Sequence, residues 1–384
     1  MKILMALTYY RPHISGLTIY VQRLAEALTD LGHSVTVLTS QYDSDLPASE
    51  NMDGVSIERI PVAFRLSKGV IMPRFGLEAS RLVRSHEVLS LHLPQFDAAG
   101  LAFRGRVTNR PTVLTYHCDL QLPTGLINRA ANIAVGMANR IAAMFANRIV
   151  AYTDDYAENS PFLSRYLDKV RVIPPPVEVP PIEEHELTKF RERHAVRPGP
   201  IIGMASRLAA EKGVEILLQA MPRILERYPE AQVLFAGQHL DVLGEADYAA
   251  RLAPLLGQFD SHWTFLGVLR PHEMAAFFKA CDVTVLPSLN STEGFGLVQI
   301  ESMICGTPVV ASNLPGVRQP VLTTGMGKIS SIGDSQELAE GILSVLENPG
   351  AFQRDSKGIQ AQFRPQQTAA AYAQLFEELL AEVR

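Results

Sequence analysis

The run Asp282-Val283-Thr284-Val285-Leu286-Pro287, followed by Glu293-Gly294-Phe295-Gly296-Leu297-Val298-Gln299-Ile300-Glu301, decides how this chain is read. The short apolar run reads as a buried strand, and the glycines after it as a loop opening a helix over residues 296–305. Glycine lets a backbone come close to a ligand, and the first N–H groups of a helix attract anions such as phosphate. The two carboxylates are eight residues apart, one at the helix mouth and one inside it. On one helix that spacing rises about 12 Å. Paired carboxyls of retaining and inverting glycosidases stand only about 5–5.5 and 6.5–9.5 Å apart. The pattern favours a sugar joined to a diphosphate, with Glu293 on sugar hydroxyls and Glu301 on ribose hydroxyls. A helix-surface acid is the alternative for Glu301.

Outward from this stretch the same alternation repeats. Strands are predicted at Ile201–Ala205, Val233–Ala236, Thr264–Leu266 and Val309–Ala311, with helices at about 213–228, 246–257, 271–280, 335–347 and 366–383. The first half reads alike. Its strands are predicted at Ile3–Thr8, Val35–Thr39, Val55–Ile60, Val88–His92, Val113–His117, Ile149–Thr153 and Val170–Ile173. Its helices are predicted at about 17–31, 74–85, 124–147 and 155–167. Short apolar strands alternating with helices specify an α/β fold with mostly parallel sheets covered on both faces. Residues 174–181 hold five prolines in eight positions, which neither a helix nor a central strand accommodates. The expected architecture is two similar domains on a stiff hinge, with a ligand cleft between the carboxyl ends of their strands.

The 384 residues suffice for two ordinary domains. An apolar content of 47% with 20% charged residues excludes a disordered chain. No apolar run reaches the ~18 residues of a membrane-spanning helix. Met1–Leu7 is too short for a signal peptide and reads as a first strand. Cys118, Cys281 and Cys305 lack metal-ligand spacing and point to a reduced, cytoplasmic setting. The net charge of −5 conceals an asymmetry: residues 1–180 carry 18 Lys/Arg and 16 Asp/Glu, and residues 181–384 carry 17 and 24. Within residues 98–153, six Arg stand against the single acid Asp119. A solvated surface accounts for this. So does a face toward anionic lipid, at the inner side of a membrane, or toward a phosphorylated acceptor. No nucleic-acid partner is expected.

Ser206-Arg207-Leu208-Ala209-Ala210-Glu211-Lys212-Gly213 follows the strand Ile201–Ala205. An Arg fork and a Lys point charge at a strand end can both reach a diphosphate and stabilise a departing phosphate. Ordinary surface cations are the alternative. The first loop, Thr8–Leu17, is not G-x-G-x-x-G, so no dinucleotide cofactor is indicated, and neither another cofactor nor a metal is expected. Gly16 there opens the approach to a ligand, with Ser15 as a helix cap. His117, in Thr115-Tyr116-His117-Cys118-Asp119, ends a strand and either donates to a phosphate or acceptor hydroxyl or serves as a core histidine. Consecutive His117, Cys118 and Asp119 suit joint metal ligation poorly. Asp43-Ser44-Asp45 reads as a solvated loop and Asp154-Asp155 as a helix start. Residues 124–147 are apolar, lack acids and contain Arg129 and Arg140; they read as a buried domain helix or an interfacial membrane helix.

Together these residues resemble the family-4 retaining glycosyltransferases over nearly the whole chain. The resemblance is carried by Glu293…Glu301 with Gly294-Phe295-Gly296-Leu297 and by Gly306-Thr307-Pro308-Val309-Val310-Ala311-Ser312. Arg207…Lys212 and Leu31-Gly32-His33 add to it. It implies the GT-B architecture: two Rossmann-like doubly wound domains with an interdomain cleft. Residues 1–178 would bind the acceptor, residues 179–365 would bind the nucleotide sugar, and a C-terminal helix over 366–384 would pack back on the first domain. It also implies sugar transfer from a nucleotide-diphosphate sugar, by default a UDP-sugar, to a hydroxyl of a sugar, lipid-linked or phosphorylated acceptor. Transfer would proceed with anomeric retention, by a front-face route and without a metal.

By position, Arg207 and Lys212 would hold the diphosphate. Glu293 would bind sugar hydroxyls, helped by the backbone amides of Gly294, Phe295, Gly296 and Leu297. Glu301 would bind ribose, His117 would lie near the anomeric carbon and acceptor, and Gly16 would lie beside the donor phosphates. The chain departs from the family in three places. Ser15-Gly16 stands for Gly-Gly, Gly237-Gln238-His239-Leu240 for Gly-x-Gly-Pro in base recognition, and Pro175-Pro176 for Asn-Gly at the hinge. A GT-B-like sugar-nucleotide epimerase or phosphorylase, and a non-catalytic sugar-nucleotide binding protein, are the competing expectations. Intact Arg207, Lys212, Glu293 and Glu301 argue against the last.

Overall fold

The computed structural model describes residues 1–66, 69–120 and 126–383. The chain separates into two units, Met1–Pro176 with Phe363–Arg384, and Val177–Gln362.

The first unit is built on strands β1 (Lys2–Ala6), β2 (Ser34–Gln41), β3 (Ser49–Met52) and β4 (Val55–Pro61), a small antiparallel hairpin β5 (Phe64–Leu66) and β6 (Gly69–Ile71), then β7 (Val88–Leu93), β8 (Thr112–Tyr116), β9 (Arg148–Ala151) and β10 (Val170–Val172). The main sheet runs β10-β9-β8-β7-β1-β2-β4-β3 and is parallel except for β3 against β4. Every residue of β7 and β8 is buried, as strands covered on both faces require. The strand order reverses between β1 and β7. In open α/β sheets the crevice at such a reversal, at the carboxyl ends, is where ligands bind. The loops that reach it are Leu7–Ser15, after β1, and Pro94–Asp97, after β7.

The helix Pro365–Val383 belongs to this unit and packs on the helix Gly16–Asp30. Its Tyr372 hydroxyl lies 2.8 Å from the Tyr20 hydroxyl and 2.8 Å from Thr115 Oγ1, all three buried. A buried hydroxyl needs such partners.

The second unit contains β11 (Ile201–Ala205), β12 (Gln232–Ala236), β13 (Trp263–Gly267), β14 (Val283–Leu286), β15 (Val309–Ser312) and β16 (Gly327–Ser330). They form an all-parallel sheet in the order β13-β12-β11-β14-β15-β16, whose reversal lies between β11 and β14. Helices Val214–Arg227 and Ser335–Glu347 bury Leu217, Met221, Leu338 and Ile342 in a core with Val233, Val283 and Val310.

Several elements differ from expectation. The helix expected over 155–167 is Asp154–Asn159, capped by Thr153 and followed by two short 3-10 turns. Pro161 supplies no N–H and forces Ser160 into an extended conformation. The helices Ala98–Val107, Glu184–Arg193, Gln319–Thr324 and Ser356–Phe363, and the strands β3, β5, β6 and β16, were not expected. The helix expected over 124–147 is Leu126–Phe145; residues 124 and 125 lie outside the described residues. Residues 174–181 form neither helix nor strand, and Val177 and Val179 within them are buried.

Candidate functional site

The reversal between β11 and β14 assembles the second unit's site. Gly213 follows the turn Ala210–Lys212 with φ of +66°, and a Cβ there would stand 2.1 Å from the Pro287 carbonyl oxygen. Only glycine allows this approach, which lays the post-β11 turn against the end of β14. The Leu289 amide donates to the Glu211 carbonyl at 2.9 Å and fixes the contact. As a result Lys212 Nζ reaches Glu293 Oε2 at 2.6 Å, with both side chains about one-sixth exposed (17% and 16%). Arg207 donates to Glu211 Oε1 at 3.0 Å.

The glycine loop is held just as firmly. Gly296 takes φ of +77°, and a Cβ there would lie 2.3 Å from Leu286 Cδ2. It precedes the helix Leu297–Ile304, whose first turn has no side-chain cap and no acid. The amides there are those that ordinarily bind an anion. Gln299, buried, donates from Nε2 to the carbonyls of Phe295 (2.8 Å) and Val317 (2.9 Å), pinning the loop between Glu293 and Glu301. Gly294 and Phe295 are buried in that loop.

One expectation needs correction. The helix begins at Leu297, so Glu293 lies outside it and Glu301 is its fifth residue. The rise of about 12 Å for eight helical residues therefore does not describe this pair, because half of the spacing is loop. The carboxylates differ instead in setting: Glu293 is held by a cation from another strand end, and Glu301 rides the helix.

In the first unit Ser15 caps the helix Gly16–Asp30 by accepting from the Thr18 amide at 3.2 Å. A Cβ on Gly16 would meet nothing within 4 Å, so the fold leaves space there. His117 is buried, and both ring nitrogens are engaged. Nε2 lies 3.0 Å from His92 Nδ1, and Nδ1 is hydrogen-bonded to the Tyr152 hydroxyl. Burial holds the His117 ring well below the ordinary imidazole range, with His92 adding to the effect, and burial alone pushes His92 down to about 3. Both rings are neutral at pH 7. Asp119 anchors the same loop by accepting from the hydroxyls of Tyr116 (2.9 Å), Tyr156 (3.1 Å) and Ser160 (2.8 Å). Asp43 and Asp45 are exposed, with the Asp45 amide donating to Asp43 Oδ1 in a local turn. Among the described residues, no three His, Cys, Asp or Glu side chains cluster so as to hold a metal ion.

Glu211, Gln299, His92 and Tyr152 were missed in the sequence. Glu211 carries a readable signal, since it stands four residues after Arg207. The other three are recognisable only from the fold.

Comparison with known proteins shows the family and the fold. Residues 15–176 match the glycosyl transferase 4-like domain, and residues 187–362 match glycosyl transferases group 1. The chain belongs to the glycosyltransferases. This glycosyltransferase is 26% identical to a D-inositol 3-phosphate glycosyltransferase of Pseudarthrobacter chlorophenolicus, over 87% of this chain and 82% of the relative. It is likewise 26% identical to the phosphatidyl-myo-inositol mannosyltransferase of Mycolicibacterium smegmatis, over 91% and 85%. Its fold matches that of Anabaena HepE, solved with UDP-glucose, at a TM-score of 0.79 and 20% identity, covering 98% of this chain and all of that one. The fold is therefore GT-B: two Rossmann-like, doubly wound α/β units.

Proposed function

We propose that this glycosyltransferase moves a sugar from a nucleotide-diphosphate sugar, by default a UDP-sugar, to a hydroxyl of a phosphorylated or lipid-linked acceptor, with retention at the anomeric carbon. The observation that carries this reading is the Lys212–Glu293 pair beside the uncapped Gly296 helix start. A diphosphate is more highly charged than one carboxylate. It would draw Lys212 toward itself, take Arg207 as a second cation, and leave Glu293 to accept from sugar hydroxyls. Glu301 would take the ribose, Gly16 would admit the phosphates, and His117 would face the anomeric carbon. With both ring nitrogens of His117 already bonded, that last role requires an exchange of partners on binding. The breaking anomeric C–O bond would send its charge to the phosphate, which would take the acceptor's proton. Catalysis would rest on positioning and on charge stabilisation by Arg207 and Lys212, with no divalent ion in the step. The names of the inositol-phosphate and phosphatidylinositol relatives, and of HepE with UDP-glucose, support the choice of substrates. We assign acceptor binding to residues 1–178 and donor binding to 179–365.

A cytoplasmic location at a membrane surface is part of the same reading. No described helix is long and apolar enough to cross a membrane. The helix Leu126–Phe145 buries Ala138, Ala142 and Ala143 but exposes Ile133, Met137, Ile141 and Met144 on one face, with Arg129 and Arg140 exposed among them. Such a face suits anionic lipid. Flotation with phosphatidylinositol vesicles at low salt tests it, and no association would remove it.

The decisive assay incubates labelled UDP-glucose, UDP-N-acetylglucosamine or GDP-mannose with inositol 3-phosphate or phosphatidylinositol vesicles. Arg207→Ala should lose at least tenfold in transfer while melting normally. Near-normal turnover would remove Arg207 from the step. An epimerised nucleotide sugar would indicate an epimerase, and sugar phosphate from a glucan plus phosphate would indicate a phosphorylase.

A further inference from the structure

The strand-order reversal of the first unit, between β1 and β7, brings together a second set of side chains with no assigned role. β7 ends beside β8: Leu93 pairs with Tyr116, and the His117 amide donates to the Leu93 carbonyl at 3.1 Å. The chain then runs through Pro94, Gln95, Phe96 and Asp97 into the helix Ala98–Val107.

Each of the last three residues of this loop departs from what a connecting turn requires. Gln95 is 2% exposed, and its Oε1 has no hydrogen-bond partner among the described residues. Leaving a buried polar atom unmet is costly, so native chains rarely do it. Phe96 is 54% exposed although it lies next to a buried strand. Asp97 occupies the helix N-cap, where a carboxylate ordinarily accepts from the first amides, yet it makes no capping bond. Among the described residues no other hydrogen bond or ion pair reaches its carboxylate, while its backbone carbonyl accepts from the Leu101 amide at 3.1 Å. Burial pushes its carboxyl up to about 6. The loop is thus under-bonded by its own fold. It pairs an exposed ring with a half-buried, uncommitted carboxylate at the crevice where an α/β sheet binds ligands.

We propose that Phe96 and Asp97 form the subsite for an uncharged, polyhydroxylated ring of the acceptor, with Phe96 under the ring's C–H face and Asp97 accepting from a ring hydroxyl. This rests on the glycosyltransferase reading for the word acceptor, but not for the binding itself. An aromatic face covers an apolar sugar face, and a carboxylate is a strong acceptor for a hydroxyl. A phosphate is excluded from the same position by repulsion from Asp97. A phosphorylated acceptor would therefore lie with its ring on this loop and its phosphate pointing away.

The charged and titratable groups on neighbouring elements are His92 on β7 and His117 and Asp119 after β8. Further groups are Glu78, Arg81 and Arg84 on the helix Phe75–Ser85, Arg129 and Arg140 on Leu126–Phe145, and Arg104 and Arg106 on the loop's own helix. None of them shifts Asp97, which responds to burial alone. His92 and His117 stay neutral throughout the range where Asp97 titrates.

The test is saturation-transfer NMR on the full chain with myo-inositol, methyl α-glucoside and methyl α-mannoside as probes, and inorganic phosphate as competitor. At least one probe should bind the wild type. Phe96→Ala and Asp97→Asn should each weaken it tenfold or more. Lowering the pH from 7.5 to 5.5 should weaken wild-type binding about fourfold, following the ionised fraction of a group titrating near 6, and should leave Asp97→Asn unaffected. Absence of binding by all three probes, signals unchanged in both variants, or displacement by phosphate would overturn the proposal. UDP binding, measured on the same samples, should be equal in wild type and variants. Its absence from all of them would sink the reading of a UDP-sugar donor and leave this subsite standing.

Discussion

Lys212 and Glu293 were each readable as candidate site residues, but their contact was not. They are 81 positions apart, and they meet because β11 and β14 are neighbours in the sheet and Gly213 permits the close approach. His92 shows the same limit. In the sequence it is one residue of an apolar strand, whereas in the fold it sets the hydrogen bonding of His117. The pair also has a pH signature. A histidine held neutral in the fold gains its proton only on unfolding, so its stabilising contribution is present above about 6.5, the unfolded value. It is lost as pH falls toward the folded value of about 3 for His92. His92→Gln removes that dependence. In urea melts its destabilisation relative to wild type should shrink by about 1 kcal/mol between pH 7 and pH 5.5. A constant difference would mean that His92 takes up its proton equally in the folded and unfolded chain. Comparing the two proteins cancels groups that titrate in the opposite sense, such as Asp282, whose carboxyl burial raises.

Strands such as β11 and β14 were legible because they are short β-branched and apolar runs bounded by turn residues. The helix Ala98–Val107 was not, because Gly100 and Gly105 look like loop residues. Yet a Cβ on Gly105 would stand 2.3 Å from Thr112 Oγ1, so the glycine there serves close packing. The helix Glu184–Arg193 was hidden by its polarity, with Leu187 and Phe190 its only buried residues. Glycines at the site divide in the same way. Gly213→Ala adds left-handed strain to a clash with an immobile backbone oxygen, and should cost more than about 2 kcal/mol in the second unit's melt. Gly16→Ala meets open space at an ordinary φ and should change stability by less than about 0.5 kcal/mol. If Gly16 admits the donor phosphates, the same change raises the KM for donor several-fold. An unchanged KM would remove that role.

The second unit is continuous in sequence, whereas the first is completed by the chain's last helix. Tyr372, Leu375, Phe376 and Leu379 of that helix are buried. At about 1.5–3 kcal/mol per large apolar side chain, the four supply about 6–12 kcal/mol, comparable to the whole stability of an ordinary domain. Deleting residues 365–384 should therefore abolish the cooperative urea transition of the first unit, and a truncated chain that kept it would contradict this account. The two-unit α/β architecture was legible from alternating strand and helix patterns on either side of a proline-rich segment. Sheet order was not, because register and neighbour choice arise from packing between distant segments.

The central claim is that a diphosphate is held by Arg207 and Lys212 at the carboxyl end of β11, without a divalent ion. Titration calorimetry of UDP in the presence of EDTA, on wild type and Lys212→Ala, tests it most directly. The account predicts measurable binding by wild type and at least tenfold weaker binding by the variant, a loss of about 1.4 kcal/mol. Equal affinity in the two proteins, or binding that appears only when manganese is added, would contradict it.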